Sequence, residues 1–160
     1  MTDEFMTSVC TIDAPAQAVF AVLADPTTHQ AIDGTGWVRE SIDGKPLTEV
    51  GQIFRMAMYH PNFDGMHYEM ANRVEVFDPP HAVAWLPGQG DDDAHVDFGG
   101  WTWRYDLEPI GDSRTQVTLT YDWSAVPPAI RAEIEFPPFD RRHLDNSLGH
   151  LTEIVAARSA

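Results

Sequence analysis

The chain has 160 residues, 43% hydrophobic and 22% charged, proportions that belong to a folded globular protein rather than a disordered segment. Its 25 acidic and 10 basic side chains give a formal net charge of −15. A surface of that sign repels phosphate backbones and anionic lipid headgroups, so nucleic acid and membrane partners are disfavoured.

The length suits one domain over residues 1–160, large enough to bury a core without disulfide staples. Cys10 is the lone cysteine, which fits a reducing cytoplasm. In an apparent strand it reads as a small buried hydrophobe. The first five residues form no apolar signal region, and no apolar run approaches the roughly 20 residues that span a bilayer.

Phe5 to Asp13 reads as a strand ended by Ala14-Pro15. Asp13 is expected to cap the following helix, near Pro15–Ala24, whose Val19, Phe20, Val22 and Leu23 form an apolar stripe. Asp25-Pro26 stops it, and Thr27 to Ile32 suggests a second short helix before a turn at Asp33-Gly34. Strands follow at Trp37–Ile42 and Gly51–His60, the latter with Phe54, Met56 and Met58 on one face and Arg55 and Tyr59 on the other. After a turn at residues 61–65, Met66 to Phe77 places Tyr68, Met70, Val74 and Val76 together. Asp78-Pro79-Pro80 breaks the chain, and His81–Leu86 is a short strand.

Gln89 to Ala94 is a polar, acidic loop and the expected mobile segment, and Gly99-Gly100 marks a bend. Gly99–Glu108 sets Trp101, Trp103, Tyr105 and Leu107 on one face; Thr115–Trp123 does the same with Val117, Leu119, Tyr121 and Trp123. Such alternation belongs to an antiparallel sheet with one wet and one covered face. A proline-bracketed stretch then leads to a long helix from Asp140, with Leu144, Leu148, Leu151 and Val155 as its apolar stripe. Strands followed by a long amphipathic helix give an α+β fold with that helix across the inner face of the sheet.

Several segments stand in a telling order: Thr11-Ile12-Asp13-Ala14-Pro15 with Val19-Phe20, Leu23-Ala24-Asp25-Pro26, Asp78-Pro79-Pro80 with Ala84-Trp85, and Tyr105-Asp106-Leu107-Glu108-Pro109. Arg114 to Leu119 and the closing Leu144, Ser147-Leu148 and Leu151 complete the set. Together, in this order, they resemble the START/Bet v 1-like (SRPBCC) superfamily and its polyketide cyclase/dehydrase-like branch. The resemblance implies a helix-grip fold: a curved antiparallel sheet around a long C-terminal helix, with a cavity between them and two short helices after the first strand. It implies that the cavity holds a lipid, hormone, polyketide or aromatic compound, in some members with cyclisation or dehydration, while other branches activate chaperones. No Cys/His Rieske motif is present, and no cofactor is implied.

The expected ligand-binding set is Phe54, Met56, Met58, Tyr68, Met70, Asn72, Trp101, Trp103, Tyr105, Tyr121, Trp123 and Ser147. Wide aromatics and adaptable methionines suit an apolar pocket better than a fully packed core. His143 and His150 share a helical stripe with Ser147 and Ile154 and are candidate general bases, because imidazole titrates near neutrality. His60 shares the parity of Met58. His60, Asp64 and His67 match no strong zinc spacing, and Asp91-Asp92-Asp93 lacks the remaining ligands of a calcium loop, so no metal is expected. Three functions stay open: a carrier for a small hydrophobic molecule, a metal-independent cyclase or aromatase using the same cavity, and a chaperone-activator-like interaction module. The chain is expected to act as a monomer or homodimer.

Overall fold

A computed structural model describes residues 4–33, 37–60 and 66–159. The expected turns at Gly34 and at residues 61–65 lie outside the described residues. Eight strands form one antiparallel sheet: β1 (Phe5–Ile12), β2 (Val38–Ser41), β3 (Ile53–His60), β4 (Met66–Asp78), β5 (Ala82–Gln89), β6 (Asp97–Phe98), β7 (Thr102–Ile110) and β8 (Arg114–Asp122). Their order across the sheet is β1-β8-β7-β5-β4-β3-β2, with β6 paired to β5 off this path. The helices are α1 (Ala16–Leu23), α2 (His29–Asp33), α3 (Pro128–Arg131) and α4 (Arg142–Ser159).

The alternation of apolar side chains becomes one covered face. Across β7 and β8, Trp103 stands opposite Tyr121, Tyr105 opposite Leu119 and Leu107 opposite Val117. Across β3 and β4, Phe54 pairs with Asn72, Met56 with Met70 and Met58 with Tyr68. α4 lies on this face, close to β1, β8, α1 and α2. Its stripe is buried as the spacing predicts: Leu144, Leu148, Leu151 and Val155 are each no more than 2% exposed. Asp140 accepts a hydrogen bond from the Arg142 amide at 2.7 Å and so closes the first turn of α4.

Four local expectations need correction. Asp13 does not cap α1: the cap position falls to Pro15, with no side-chain bond, and Asp13 instead meets Arg114 at 3.5 Å. The Ala14-Pro15 step carries the chain past the reach of that carboxylate. Val76 does not share the inner face with Val74. A bulge places Val74 opposite Trp85 but Val76 opposite Ala84, so one extra residue on β4 shifts the parity. Phe77 therefore turns inward and packs edge-on against Phe20 at 5.5 Å. β5 runs to Gln89 and gains a short partner in β6, because Pro87-Gly88 continues the extended chain that the sequence seemed to end at Leu86. Finally, the acidic loop is tied down. Arg55, on the outer face, donates to the Asp93 carboxylate at 2.7 Å and to the Gly90 carbonyl at 2.7 Å, and it also pairs with Glu69.

The bend ahead of β7 is real. Gly100 has φ of +96°, and a β-carbon there would stand 2.5 Å from the Ala125 carbonyl oxygen. Only glycine suits both constraints.

Candidate functional site

The interior site is assembled from α2, β3, β4, β5, β7 and α4. Short helix α2 begins directly after a 3-10 turn, Pro26–Thr28, in which the Asp25 carboxylate accepts from the Thr27 amide at 3.0 Å. This turn drives His29 inward. His29 is buried, stacks on Trp85 at 5.0 Å and meets the Phe54 ring edge-on at 5.7 Å. Its Nε2–H donates to the Leu23 carbonyl at 2.9 Å. Loss of water around the ring pushes its pKa below the ordinary value, so it stays neutral.

The other end of α2 meets α4. The Asp33 carboxylate and the His143 imidazole face each other, Oδ1 to Nε2, at 3.5 Å, and their side chains are only 12% and 11% exposed. The second carboxylate oxygen of Asp33 accepts from the Val38 amide at 3.4 Å. Nearly two helical turns further along α4, His150 donates from Nδ1 to the Ile32 carbonyl at 3.0 Å. Two histidines of α4 thus clasp the end of α2.

Aromatic rings surround this polar pair. Phe139 lies 4.6 Å from the His143 ring and stacks on Trp103 at 5.6 Å. Trp103 packs against Tyr121 at 4.6 Å and stands 6.0 Å from His143. Burial pushes the His143 pKa down, against the opposing pull of Asp33. Burial also raises the phenol pKa values of Tyr68, Tyr105 and Tyr121, with the charge of Asp33 adding to the rise at Tyr68 and Tyr105. All three tyrosines therefore keep their protons near neutral pH. The arrangement offers neutral donors, an imidazole lone pair and one carboxylate among apolar rings.

Of the residues expected to line a cavity, Phe54, Met56, Met70, Asn72, Tyr105, Tyr121, Trp123 and Ser147 are buried. Met58, Tyr68, Trp101 and Trp103 are half-buried. Trp101 stands apart from the polar pair, its ring 5.7 Å from Phe136. Asp33, His29, Trp85 and Phe139 were not expected here. Trp85 had a usable signal, since it shares the parity of Val83 in a strand. Asp33 had none, because its partner lies at the far end of the chain. Cys10 is half-buried, and burial raises its thiol pKa, which lowers the thiolate fraction.

Two surface hollows of about 330 and 320 Å³ lie elsewhere. The first is on the outer face between His81, Arg104, Glu108 and Gln116; the second is at the rim by Lys45, Gln52 and Asp93. Among the described residues no group of three or more metal-ligating side chains converges. Asp64 lies outside the described residues, as does the side chain of His60. His67 is exposed beside Tyr59, its ring 5.1 Å away. No helix among the described residues is long and apolar enough to cross a membrane.

An antiparallel sheet closed over one long C-terminal helix is the helix-grip arrangement of Bet v 1-like, polyketide cyclase-type folds, as the sequence led one to expect. Within it, the chain belongs to the Activator of Hsp90 ATPase homolog 1-like protein family, whose model matches residues 13–138. An uncharacterized protein of Mycobacterium tuberculosis, Rv0088, is 32% identical over 114 residues, covering 71% of this chain. The match takes in 45% of that protein, so the chain spans under half the length of the curated relatives it matches. Protein Ms6760 of Mycobacterium smegmatis shares the fold at a TM-score of 0.67 and 18% identity, over 97% of this chain and 92% of that one. The Zhui aromatase/cyclase of Streptomyces sp. R1128 shares it at 0.63 and 16% identity, over 98% and 95%.

Proposed function

We propose that this protein binds a small hydrophobic molecule, aromatic, polyketide or lipid-like, between the sheet and α4. The observation that carries this reading is the Asp33–His143 pair, almost excluded from water and walled by Phe139 and Trp103. Withdrawing a carboxylate and an imidazole from water costs free energy that apolar residues of the same size would not cost. Such pairs gather where a site needs them. A guest gains room by repacking Met56, Met58 and Met70, whose unbranched side chains reshape at little cost.

Mass spectrometry of small molecules extracted from the natively purified protein tests the reading. A hydrophobic compound at near-stoichiometric amount is expected. Failure both to recover such a compound and to bind any apolar fluorophore would sink it. Binding should survive dialysis against a chelator, because rings and an imidazole lone pair need no ion.

A second reading, a cyclase or aromatase acting in the same interior, draws on the same pair. A neutral imidazole steadied by a carboxylate is a competent proton acceptor. The fold shared with an aromatase/cyclase is compatible with it but carries no residue across. A chaperone-activator role draws only on the wording of the family description.

A further inference from the structure

The charges around the interior bear on what it accepts. The polar groups facing His143 are Asp33 from α2, Asp140 at the start of α4 and His150 further along the same face of α4; Tyr68 from β4 and Tyr105 from β7 face Asp33. None of these supplies a fixed positive charge. Among the described residues no lysine or arginine is buried. Arg55 is turned to the outer face and committed to Glu69 and Asp93, and Arg39 lies over the Tyr59 ring. An anionic guest would meet the Asp33 carboxylate in a poorly hydrated setting that no lysine or arginine among the described residues enters as a buried group.

The same geometry sets which hydrogen-bonding group is wanted. A carboxylate only accepts, so facing Asp33 across 3.5 Å favours the His143 tautomer with its proton on Nε2 and its lone pair on Nδ1. A lone pair asks for a donor. The surrounding rings of Phe139, Trp103 and Tyr121 ask for a flat apolar body.

Resting on the reading of the interior as a ligand site, we propose that its ligand is an uncharged aromatic compound with a hydroxyl donor, a phenol, and that carboxylate ligands such as fatty acids are refused. His143 accepts the hydroxyl proton in a hydrogen bond, and Asp33 is the positioning residue that holds the imidazole tautomer.

Three probes of nearly equal shape separate the possibilities: 2-naphthol, 2-methylnaphthalene and 2-naphthoate, titrated against the full chain at about pH 7.5 by tryptophan fluorescence. At that pH the naphthol is neutral and the naphthoate is ionised. The naphthol is expected to bind about tenfold or more tightly than either of the others, the size of effect a buried hydrogen bond or an unpaired charge produces. His143→Phe should bring naphthol down to the level of methylnaphthalene. Asp33→Asn should raise the affinity for naphthoate, which a merely structural role would not do.

Naphthoate binding as tightly as naphthol overturns the proposal, as does methylnaphthalene matching naphthol. In both cases the interior remains a ligand site. Failure of all three probes overturns the ligand-site reading and the proposal with it. If His143→Phe does not fold, judged by circular dichroism, the three-probe series on the unaltered chain still decides.

Discussion

The two halves of the interior are built from different materials. Toward β1, β8 and α1 the core is aliphatic: Ile12, Val19, Leu23, Val117 and Leu119 meet Leu148 and Leu151, and each is at most 2% exposed. Toward β3, β4, β5 and α2 it is aromatic, sulfur-bearing and polar, with Phe54, Met56, Met70, Asn72, Trp85 and His29 in place of leucine and valine. α4 runs close to β1, β8, α1 and α2 and stands farther from β3 and β4. Branched aliphatics fix the near half in one packing, whereas methionines and stacked rings leave the far half adjustable. One half holds the fold together; the other is free to be a site.

Substitutions on the two sides should separate these roles. Leu148→Ala removes a side chain at the centre of the aliphatic half and should cost about 2–5 kcal/mol in a denaturant titration. His150→Ala, on the boundary, should cost clearly less. An equal loss at both positions would erase the distinction.

The polar half should be the first to fail in acid. His29 and His143 have pKa values held below the ordinary 6.5 by burial, so the unfolded chain binds protons there before the folded one does. Stability from these groups is complete above about pH 6.5 and falls as pH drops from there toward the folded values. Melting temperature measured from pH 7.5 downward should decline in that window. His29→Phe, which keeps the stack on Trp85, should shrink the decline; an unchanged curve would remove His29 from the account.

Met56→Leu should cost under about 1.5 kcal/mol, as volume-conserving swaps do. Its larger effect should fall on ligand affinity, because leucine reshapes less readily. A loss of stability near that of Leu148→Ala would mean that the far half is packed as rigidly as the near one. The smallest effect is a gain. Gly149 is exposed on α4, and a β-carbon there meets nothing within 4 Å. Gly149→Ala should stabilise the helix by up to about 1 kcal/mol and leave ligand binding alone.

Periodicity in the sequence carries the fold well because a covered face repeats locally, every second residue in β7 and β8 and every three or four in α4. The stripe Leu144, Leu148, Leu151 and Val155 needs no knowledge of its partner to be recognised. The polar part of the site lacks that redundancy. His143 stands out by its place beside the leucine stripe, but Asp33 reads as a turn residue until α2 delivers it to α4. His29 reads as helix surface until the Asp25-capped turn rotates it inward. Errors within strands have a related origin: alternation extrapolates blindly, and nothing in Arg73-Val74-Glu75-Val76 announces that one of these residues is surplus to the ladder.

That surplus residue has a consequence for how the chain tolerates change. β4 is the longest strand, and it serves both halves, offering Tyr68 and Met70 to the adjustable side and Phe77 to α1. Those inward positions are even-numbered before the bulge and odd-numbered after it, so the strand works as two rulers joined with a half-step offset. Removing Glu75 would bring the rulers into step: Val76 would still oppose Ala84, and Phe77 would still face Phe20. Substitution at Glu75 concerns a half-exposed surface position, and deletion there would remove only the bulge, whereas deletion within the regular ladder before it would turn one part of the strand over relative to the other. In this strand the count of residues is a stricter requirement than their identity.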